Sequence, residues 1–335
     1  MEQVIEKWPG KIYELTIGAT KEEGGSRSKK IKIGGFNTLP FLFFESSPTN
    51  NPPTSPTSNS PASAIYNPPA VAMEVWDAEP IDWPDVLKNE YSGVLNDPAK
   101  WAKKCEDTGC DLICLRLEST NPDGENASAT DVAKTIKNVL SATTLPLIII
   151  GCGNSEKDSS IIMSITDSAK GENCLLGVAT KQNYKTFTAA ALSGGHSLIA
   201  ETPLDINLEK QLNILITDIG FNSNRLIIHP STGGLGYGFE YCYTIIERTR
   251  LAALSGDKMM SQPIVTFVGQ EVWKAKECKT NETERPEWGS IKERGILWEI
   301  TTSVGYIQAG SDIVVVNHPT TIKEIKNYIE KLSIK

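Results

Sequence analysis

The sequence predicts an α/β chain folded as a closed (β/α)8 TIM barrel with an N-terminal β-hairpin arm, and three observations carry that expectation. Short apolar segments recur eight times between residue 70 and the C-terminus, and an amphipathic helical segment follows each of them. The apolar segments run nearly unbroken, which a parallel sheet buried on both faces requires. The alternation also stays even through the last strand, as it does in a barrel. A doubly wound open sheet is the alternative. It is weakened because no strand leads into a dinucleotide fingerprint.

Taken in order, residues 1–45 read as a β-rich arm. Residues 11–17 alternate as KIYELTI and residues 29–33 as KKIKI, with Gly24-Gly25-Ser26 as the turn, while residues 41–44 form a third, more apolar run. This hairpin is expected to plug or flank the barrel. Residues 46–69 change character, with SSPTNNPPTSPTSNSP too poor in apolar groups to offset the entropy of ordering. They read as a low-complexity, flexible insert. The barrel is assigned to residues 70–335, with strands at 71–76, 112–117, 147–150, 175–178, 197–200, 226–228, 264–268 and 313–316. Asp97-Pro98 opens the first helix, with a capping Asp and Pro at the first helical position. Further helices are expected at 129–140, 156–169, 181–192, 206–219, 239–254, 291–308 and 322–332. Thr321 and Glu324 are read as a capping box on the last one.

A chain of 335 residues, 39% hydrophobic and 22% charged, has the composition of a soluble globular protein. No apolar run nears the roughly 20 residues of a membrane helix, and MEQVIEKWPGK lacks the apolar core of a signal peptide. A cytoplasmic location, with no membrane partner, is the expectation. The net charge of −8 argues against nucleic-acid binding. Arg27, Lys29, Lys30 and Lys32 read as a solvated strand face. Seven cysteines, an odd number without a secretory signal, read as reduced thiols. Cys105, Cys110 and Cys114 spread over helix, turn and strand, so they read as small buried apolar residues and not as cluster ligands.

Barrel chemistry sits where strands run out into helices. Those ends are Trp76-Asp77, Glu118-Ser119-Thr120-Asn121, Gly151-Cys152-Gly153-Asn154, Ala179-Thr180, Glu201-Thr202-Pro203, residues 229–238, Gly269-Gln270-Glu271 and Asn317-His318-Pro319. None carries a Lys for Schiff-base chemistry. His229 and His318 with Glu118 or Glu201 make a weak metal set and read as hydrogen-bonded structural histidines. Cys152 has no His dictated by the sequence. The glycines at 233, 234, 236 and 238 follow strand six, and no GK[ST] is present, so neither the usual barrel phosphate site nor a P-loop is supported. What remains is an amide-rich rim of Asn154, Thr180, Asn183, Gln270 and Asn317 beside a loop where backbone can approach a ligand closely. Such a rim suits an amide-bearing ligand or a protein partner better than acid–base chemistry.

The segments PAVAMEVWDAEPIDWP, LNDPAKWAKKCEDTGCDLICLRLESTNPDG, IIIGCGN, STGGLGYGFEYCYTIIERTRLAAL and EWGSIKERGILWEITTSVGYIQAGSDIVVVNHP resemble one family. It is the small subunit of the corrinoid iron–sulfur protein, the delta subunit of the acetyl-CoA decarbonylase/synthase complex. The resemblance runs from residue 29 to about 333, apart from the insert. It implies a barrel of the pterin-binding methyltransferase type, with no catalytic residue, metal ligand or iron–sulfur cluster on this chain. It implies a corrinoid (cobalamin) shared with a large subunit that carries the [4Fe–4S] cluster. Cobalt would accept a methyl group from a methyltetrahydrofolate or methyltetrahydropterin methyltransferase and pass it to the nickel site of acetyl-CoA synthase. The residues assigned to the corrinoid-facing rim are Asn154, Thr180, Ser231, Thr232, Gly233, Gly234, Gln270 and Asn317.

Two departures stand out. The family pattern has Asp-Pro at the end of strand six, where this chain has His229-Pro230, and a neutral imidazole cannot replace a carboxylate acceptor. The family continues with Glu-Gly after Phe44, where this chain has Glu45-Ser46 and the insert. The alternatives are a pterin-dependent methyltransferase, with Asn154 or Asn183 as pterin anchor and Asp77 or Glu118 as acid, or a purely structural subunit.

Overall fold

The computed structural model describes residues 8–40 and 67–333, so the 41–44 run and nearly all of the insert lie outside the described residues. β1 (Glu14–Ile17) and β2 (Ile31–Gly34) pair antiparallel, with Glu14 opposite Gly34 and Ile17 opposite Ile31. The remaining strands are β3 (Ala70–Trp76), β4 (Leu112–Arg116), β5 (Leu147–Ile150), β6 (Leu175–Ala179), β7 (Ser197–Glu201), β8 (Leu226–His229), β9 (Val265–Phe267) and β10 (Ile313–Val316). They form one eight-stranded parallel sheet in the order β8-β7-β6-β5-β4-β3-β10-β9. An isolated parallel bridge from Ile228 to Ile264 joins the two ends, with the Ile228 N–H donating to the Pro263 carbonyl at 2.8 Å. The expected barrel is present.

Helices α1 (Asp85–Lys88), α2 (Pro98–Glu106), α3 (Ala129–Ala142), α4 (Ser155–Ser168), α5 (Tyr184–Gly194), α6 (Ile206–Asp218), α7 (Phe239–Leu254), α8 (Val268–Val272), α9 (Ile291–Ala309) and α10 (Pro319–Ser333) alternate with the strands. Asp97 caps α2 by accepting from Lys100 N, with Pro98 in the first turn. Asn154, Asp205 and Ser290 cap α4, α6 and α9 in the same way. α10 departs from expectation. It begins at Pro319, so Thr321 lies inside the first turn and donates to the His318 carbonyl at 2.6 Å. The cap is instead His318, whose Nδ1 accepts from Thr320 N at 3.1 Å. Pro at the first helical position with an imidazole before it replaces the expected capping box.

Alternation along each strand sorts side chains between two cores. Val71, Met73, Val75, Ile113 and Leu115 face the helices, and Ala70, Ala72, Leu112 and Cys114 face the barrel axis. The axial core also holds Leu15, Ile17 and Ile33 from the hairpin, packed with Ile148, Leu175, Ile199, Ile227 and Ile313. The hairpin therefore plugs the barrel at the end where its strands begin. No helix among the described residues is long and apolar enough to cross a membrane.

The basic arm needs one correction. Arg27 is only 3% exposed and is no part of a solvated face. Its Nε donates to Glu172 at 2.8 Å, Nη1 to the Thr143 carbonyl at 2.7 Å and Nη2 to the Leu140 carbonyl at 2.8 Å. The unpaired carbonyls at the end of α3 are what draw the guanidinium inward. Lys30 and Lys32 do stay at the surface, paired with Glu23 and Glu14. The connection between the strands is also longer than the expected turn, with a helical turn at Lys21–Glu23 closed by Gly24 at φ 87°.

Ile17→Ala is expected to cost about 2–5 kcal/mol, read from the urea midpoint, because it empties part of the plug. Lys30→Ala, at the other face of the same hairpin, should stay within about 0.5 kcal/mol of the parent.

Candidate functional site at the barrel mouth

Above the apolar axial layer, the inward positions turn polar. Glu74 on β3 has the same parity as Ala70 and Ala72, and Arg116 on β4 the same parity as Leu112 and Cys114. Both are buried. Arg116 Nε donates to Glu74 Oε1 at 2.7 Å, and Nη2 donates to Gln270 Oε1 at 2.7 Å. With the Asn317 amide turned to donate, its nitrogen reaches Glu74 Oε2 at 3.1 Å and the Val316 carbonyl at 3.3 Å. One carboxylate and one guanidinium thus tie together the ends of β3, β4 and β10 and the start of α8. The guanidinium also lies over Trp76, 5.5 Å from the ring centroid. Gly269 permits the closure, because a Cβ there would stand 2.3 Å from the Asn317 side-chain amide.

Around this floor the rim residues separate into groups. Gln270 and Asn317 belong to the network just described. Thr180 and Ser231 line a cavity of ≈ 340 Å³ together with Glu201, Thr202, Pro203 and the α6 side chains Leu208, Gln211, Leu212 and Leu215. Asn154 stands apart, its carbonyl oxygen accepting from Lys157 N at 3.0 Å as the α4 cap. Asn183 serves its own loop, its oxygen accepting from Thr180 N at 2.7 Å, so α5 begins at Tyr184 and not at 181. Thr232 is buried and donates to the Phe267 carbonyl at 3.0 Å. Gly233 and Gly234 form a helical turn, Gly233–Gly236, after Ser231, which sits at φ 63°. A Cβ on Gly234 would meet Leu204 Cδ1 at 2.4 Å, so the glycine there serves packing of the loop.

His229, Cys152, Asp77 and Glu118 at the rim are each held by a neighbour. His229 is buried, and its Nδ1 pairs with the Val265 carbonyl at 3.0 Å. Burial lowers its pKa, which keeps the ring neutral, and Nε2 lies 3.7 Å from Glu201 Oε1, too far for a direct hydrogen bond. Cys152 is half-buried beside Asp158, and burial raises its pKa, which opposes the thiolate. Asp77 accepts from Ser119 N at 2.7 Å and Ser119 Oγ at 2.5 Å, while burial pushes its carboxyl up to about 6. Glu118 accepts from Asn121 Nδ2 at 2.8 Å. The other six cysteines, Cys105, Cys110 and Cys114 among them, are buried and unpaired by disulfides. Among the described residues no group of three or more His, Cys, Asp or Glu side chains is arranged to hold a metal ion.

Sequence reasoning found the rim but missed its floor. Glu74 and Arg116 each stand as the one charge in an apolar strand, at an inward parity, and that was the available signal. Thr202 was also missed as a site residue. It is 6% exposed, lines the cavity, and its Oγ1 has no hydrogen-bond partner.

A family model described as CO dehydrogenase/acetyl-CoA synthase delta subunit matches residues 62–326. The chain is 34% identical to acetyl-CoA decarbonylase/synthase complex subunit delta 1 of Methanosarcina thermophila, over 98% of this chain and 72% of that protein. It is 32% identical to the corresponding delta subunit of Methanocaldococcus jannaschii, over 100% of this chain and 77% of that one. Among solved structures it is similar to dihydropteroate synthase from Xanthomonas albilineans in complex with 7,8-dihydropteroate, with a TM-score of 0.57 at 13% identity, covering 80% of this chain and 95% of that chain. The Coxiella burnetii dihydropteroate synthase in complex with pteroic acid aligns with a TM-score of 0.56 at 13% identity, with the same coverage. At that identity the likeness establishes the barrel fold alone.

Removing one partner of the floor pair strands a buried charge. Glu74→Leu is expected to cost about 3–5 kcal/mol in urea unfolding, and adding Arg116→Met should restore most of the loss. Equal losses in the single and double variants would contradict the pairing.

Proposed function

Because the chain belongs to the CO dehydrogenase/acetyl-CoA synthase delta-subunit family, we propose that it is the small, non-catalytic subunit of a corrinoid iron–sulfur protein. Its barrel mouth forms one wall of the corrinoid site, facing a large subunit that holds the [4Fe–4S] cluster. The observation that carries this reading is the chemistry of the mouth. It offers amides, hydroxyls and backbone on a rigid floor, and Asp77, Cys152 and His229 are each restrained by burial or by a neighbour. A corrin ring presents uncharged carboxamides at its edge, and neutral donors and acceptors are what such an edge requires.

The residues present fit that group. Gln270 spends its carbonyl on Arg116, which leaves its amide nitrogen without a partner among the described residues. The loop of residues 231–238 offers backbone to a close neighbour. When bound, the corrinoid supplies the cobalt that carries a methyl group between a methyltransferase and the nickel site of an acetyl-CoA synthase. This chain's part is to orient the ring edge, to limit water at the mouth, and to hold the floor charge fixed. Arg116 is locked on both sides, so its position does not depend on the ligand. The names of the relatives, subunits of an acetyl-CoA decarbonylase/synthase complex, support assembly with such partners.

Titrating cobalamin against the chain alone and against the chain with its large subunit tests the proposal by absorbance. Affinity is expected to rise about tenfold or more with the partner, or ~1.4 kcal/mol. Tight binding by the chain alone, unchanged by the partner, would sink the idea. Binding of methyltetrahydrofolate by the chain without any corrinoid partner would favour the methyltransferase reading instead.

A further inference from the structure

Helix α6 carries a carboxyl group on the face that packs into the protein. Leu212 and Ile216 are buried there, and Glu209 and Asn213 lie on the same buried side, one helical turn apart. Glu209 is 1% exposed and Asn213 0%. Each spends one end on a neighbouring element. Thr249 Oγ1 on α7 donates to Glu209 Oε1 at 2.9 Å, and Asn213 Nδ2 donates to the Met259 carbonyl at 2.9 Å. The two remaining oxygens, Glu209 Oε2 and Asn213 Oδ1, are buried and have no hydrogen-bond donor.

Among the described residues no cation pairs with this carboxyl. Lys210 on α6 is held by Asp257 at 2.5 Å and Arg250 on α7 by Asp312 at 2.8 Å, while Lys185 on α5, Arg248 on α7 and Lys258 beyond it are exposed. The nearby anions make ionisation harder. Asp205, the cap of α6, acts on Glu209 as a like charge. Glu201 at the end of β7 faces His229, Glu247 acts on Tyr243, and Glu240 is exposed. An ionised Glu209 would leave a buried charge uncompensated and a second buried acceptor unmet, a doubly unfavourable state. A proton on Oε2 removes the charge and supplies the one donor that is missing. Burial acts in the same direction and pushes the Glu209 carboxyl up to about 8.

We propose that Glu209 is a neutral carboxylic acid in the folded chain, its Oε2–H donating to Asn213 Oδ1, and that this proton clasps α6 to α7 and to the turn at 258–260. Thr249, Glu209, Asn213 and the Met259 carbonyl then form one chain of hydrogen bonds across three elements. The clasp is sensitive to pH. In the unfolded chain the carboxyl titrates near its ordinary value of about 4.3, and in the folded chain near 8. Because the folded value is the higher one, the stability it contributes is fully present below about 4.3 and is lost as pH rises through the folded pKa. A helix that also walls the cavity at the mouth is thereby held more firmly in acid than in base. Nothing in the clasp depends on a bound corrinoid.

Urea unfolding of the full chain, followed from about pH 5 to about pH 7.5 beside Glu209→Gln, tests the clasp. Glutamine keeps the shape, accepts from Thr249 and donates to Asn213, but has no proton to lose. Relative to the variant, the folding equilibrium constant of the parent is expected to fall about tenfold per pH unit, so that Glu209→Gln becomes the more stable chain at neutral pH. Parallel pH dependences, or a Glu209→Gln chain less stable than the parent at neutral pH, would mean an ionised Glu209 and overturn the proposal. Infrared spectra of the folded parent decide the matter even if the variant fails to fold. A protonated-carboxyl C=O band that titrates near pH 8 is expected, above the values of about 6 and about 7 for Asp77 and Glu299. Complete loss of that band by about pH 7 overturns the proposal.

Discussion

A carboxylate and a guanidinium, 2.7 Å apart inside an apolar barrel, decide what each end of this molecule can be. Burying two charges is costly unless their geometry is good and their remaining donors and acceptors are met. Here they are met, by Gln270 on one side and Asn317 on the other. The pair therefore acts as a floor. Below it the axis is dry and packed, closed by Leu15, Ile17 and Ile33 of the hairpin. Above it lie the loops after the strands, free to differ without disturbing the core. Apolar packing is concentrated below the pair and polar groups above it.

That division sets the polar groups of the mouth on a floor whose position is fixed by burial and pairing. A barrel mouth built for acid–base work needs a group poised to exchange a proton. The neutral His229 ring gives its Nδ1–H to Val265 and Cys152 is disfavoured as a thiolate, whereas Asp77, pushed up to about 6 by burial, is the carboxyl nearest that condition. Likeness to dihydropteroate synthases in backbone does not alter this, because the fold is shared while the strand-end side chains are what decide the chemistry.

Much of the architecture was legible because parallel barrel strands are apolar on both faces. The segments read at 147–150 and 313–316 coincide with β5 and β10, and the helix read at 239–254 coincides with α7. Misreadings arose where a side chain made a distant contact. Arg27 looked like one of four surface cations, but the carbonyls that bury it belong to a helix end more than a hundred residues away. The α10 boundary was misplaced because an imidazole supplied the cap, outside the usual set of capping residues. The rim could be listed from strand ends alone. The floor could have been found from the parity of Glu74 and Arg116, whereas the Thr202 cavity depends on the path of α6 past β7, which no local pattern encodes.

The central claim is that the mouth, and not the outer helices or the plugged end, meets the corrinoid and its carrier. Hydrogen exchange of the chain alone and within the corrinoid-loaded heterodimer measures this directly. Protection is expected at residues 180–182, 201–204 and 231–238, with little change across β1 and β2. Protection confined to the hairpin or to the outer faces of the helices, with the mouth loops unchanged, would contradict the account.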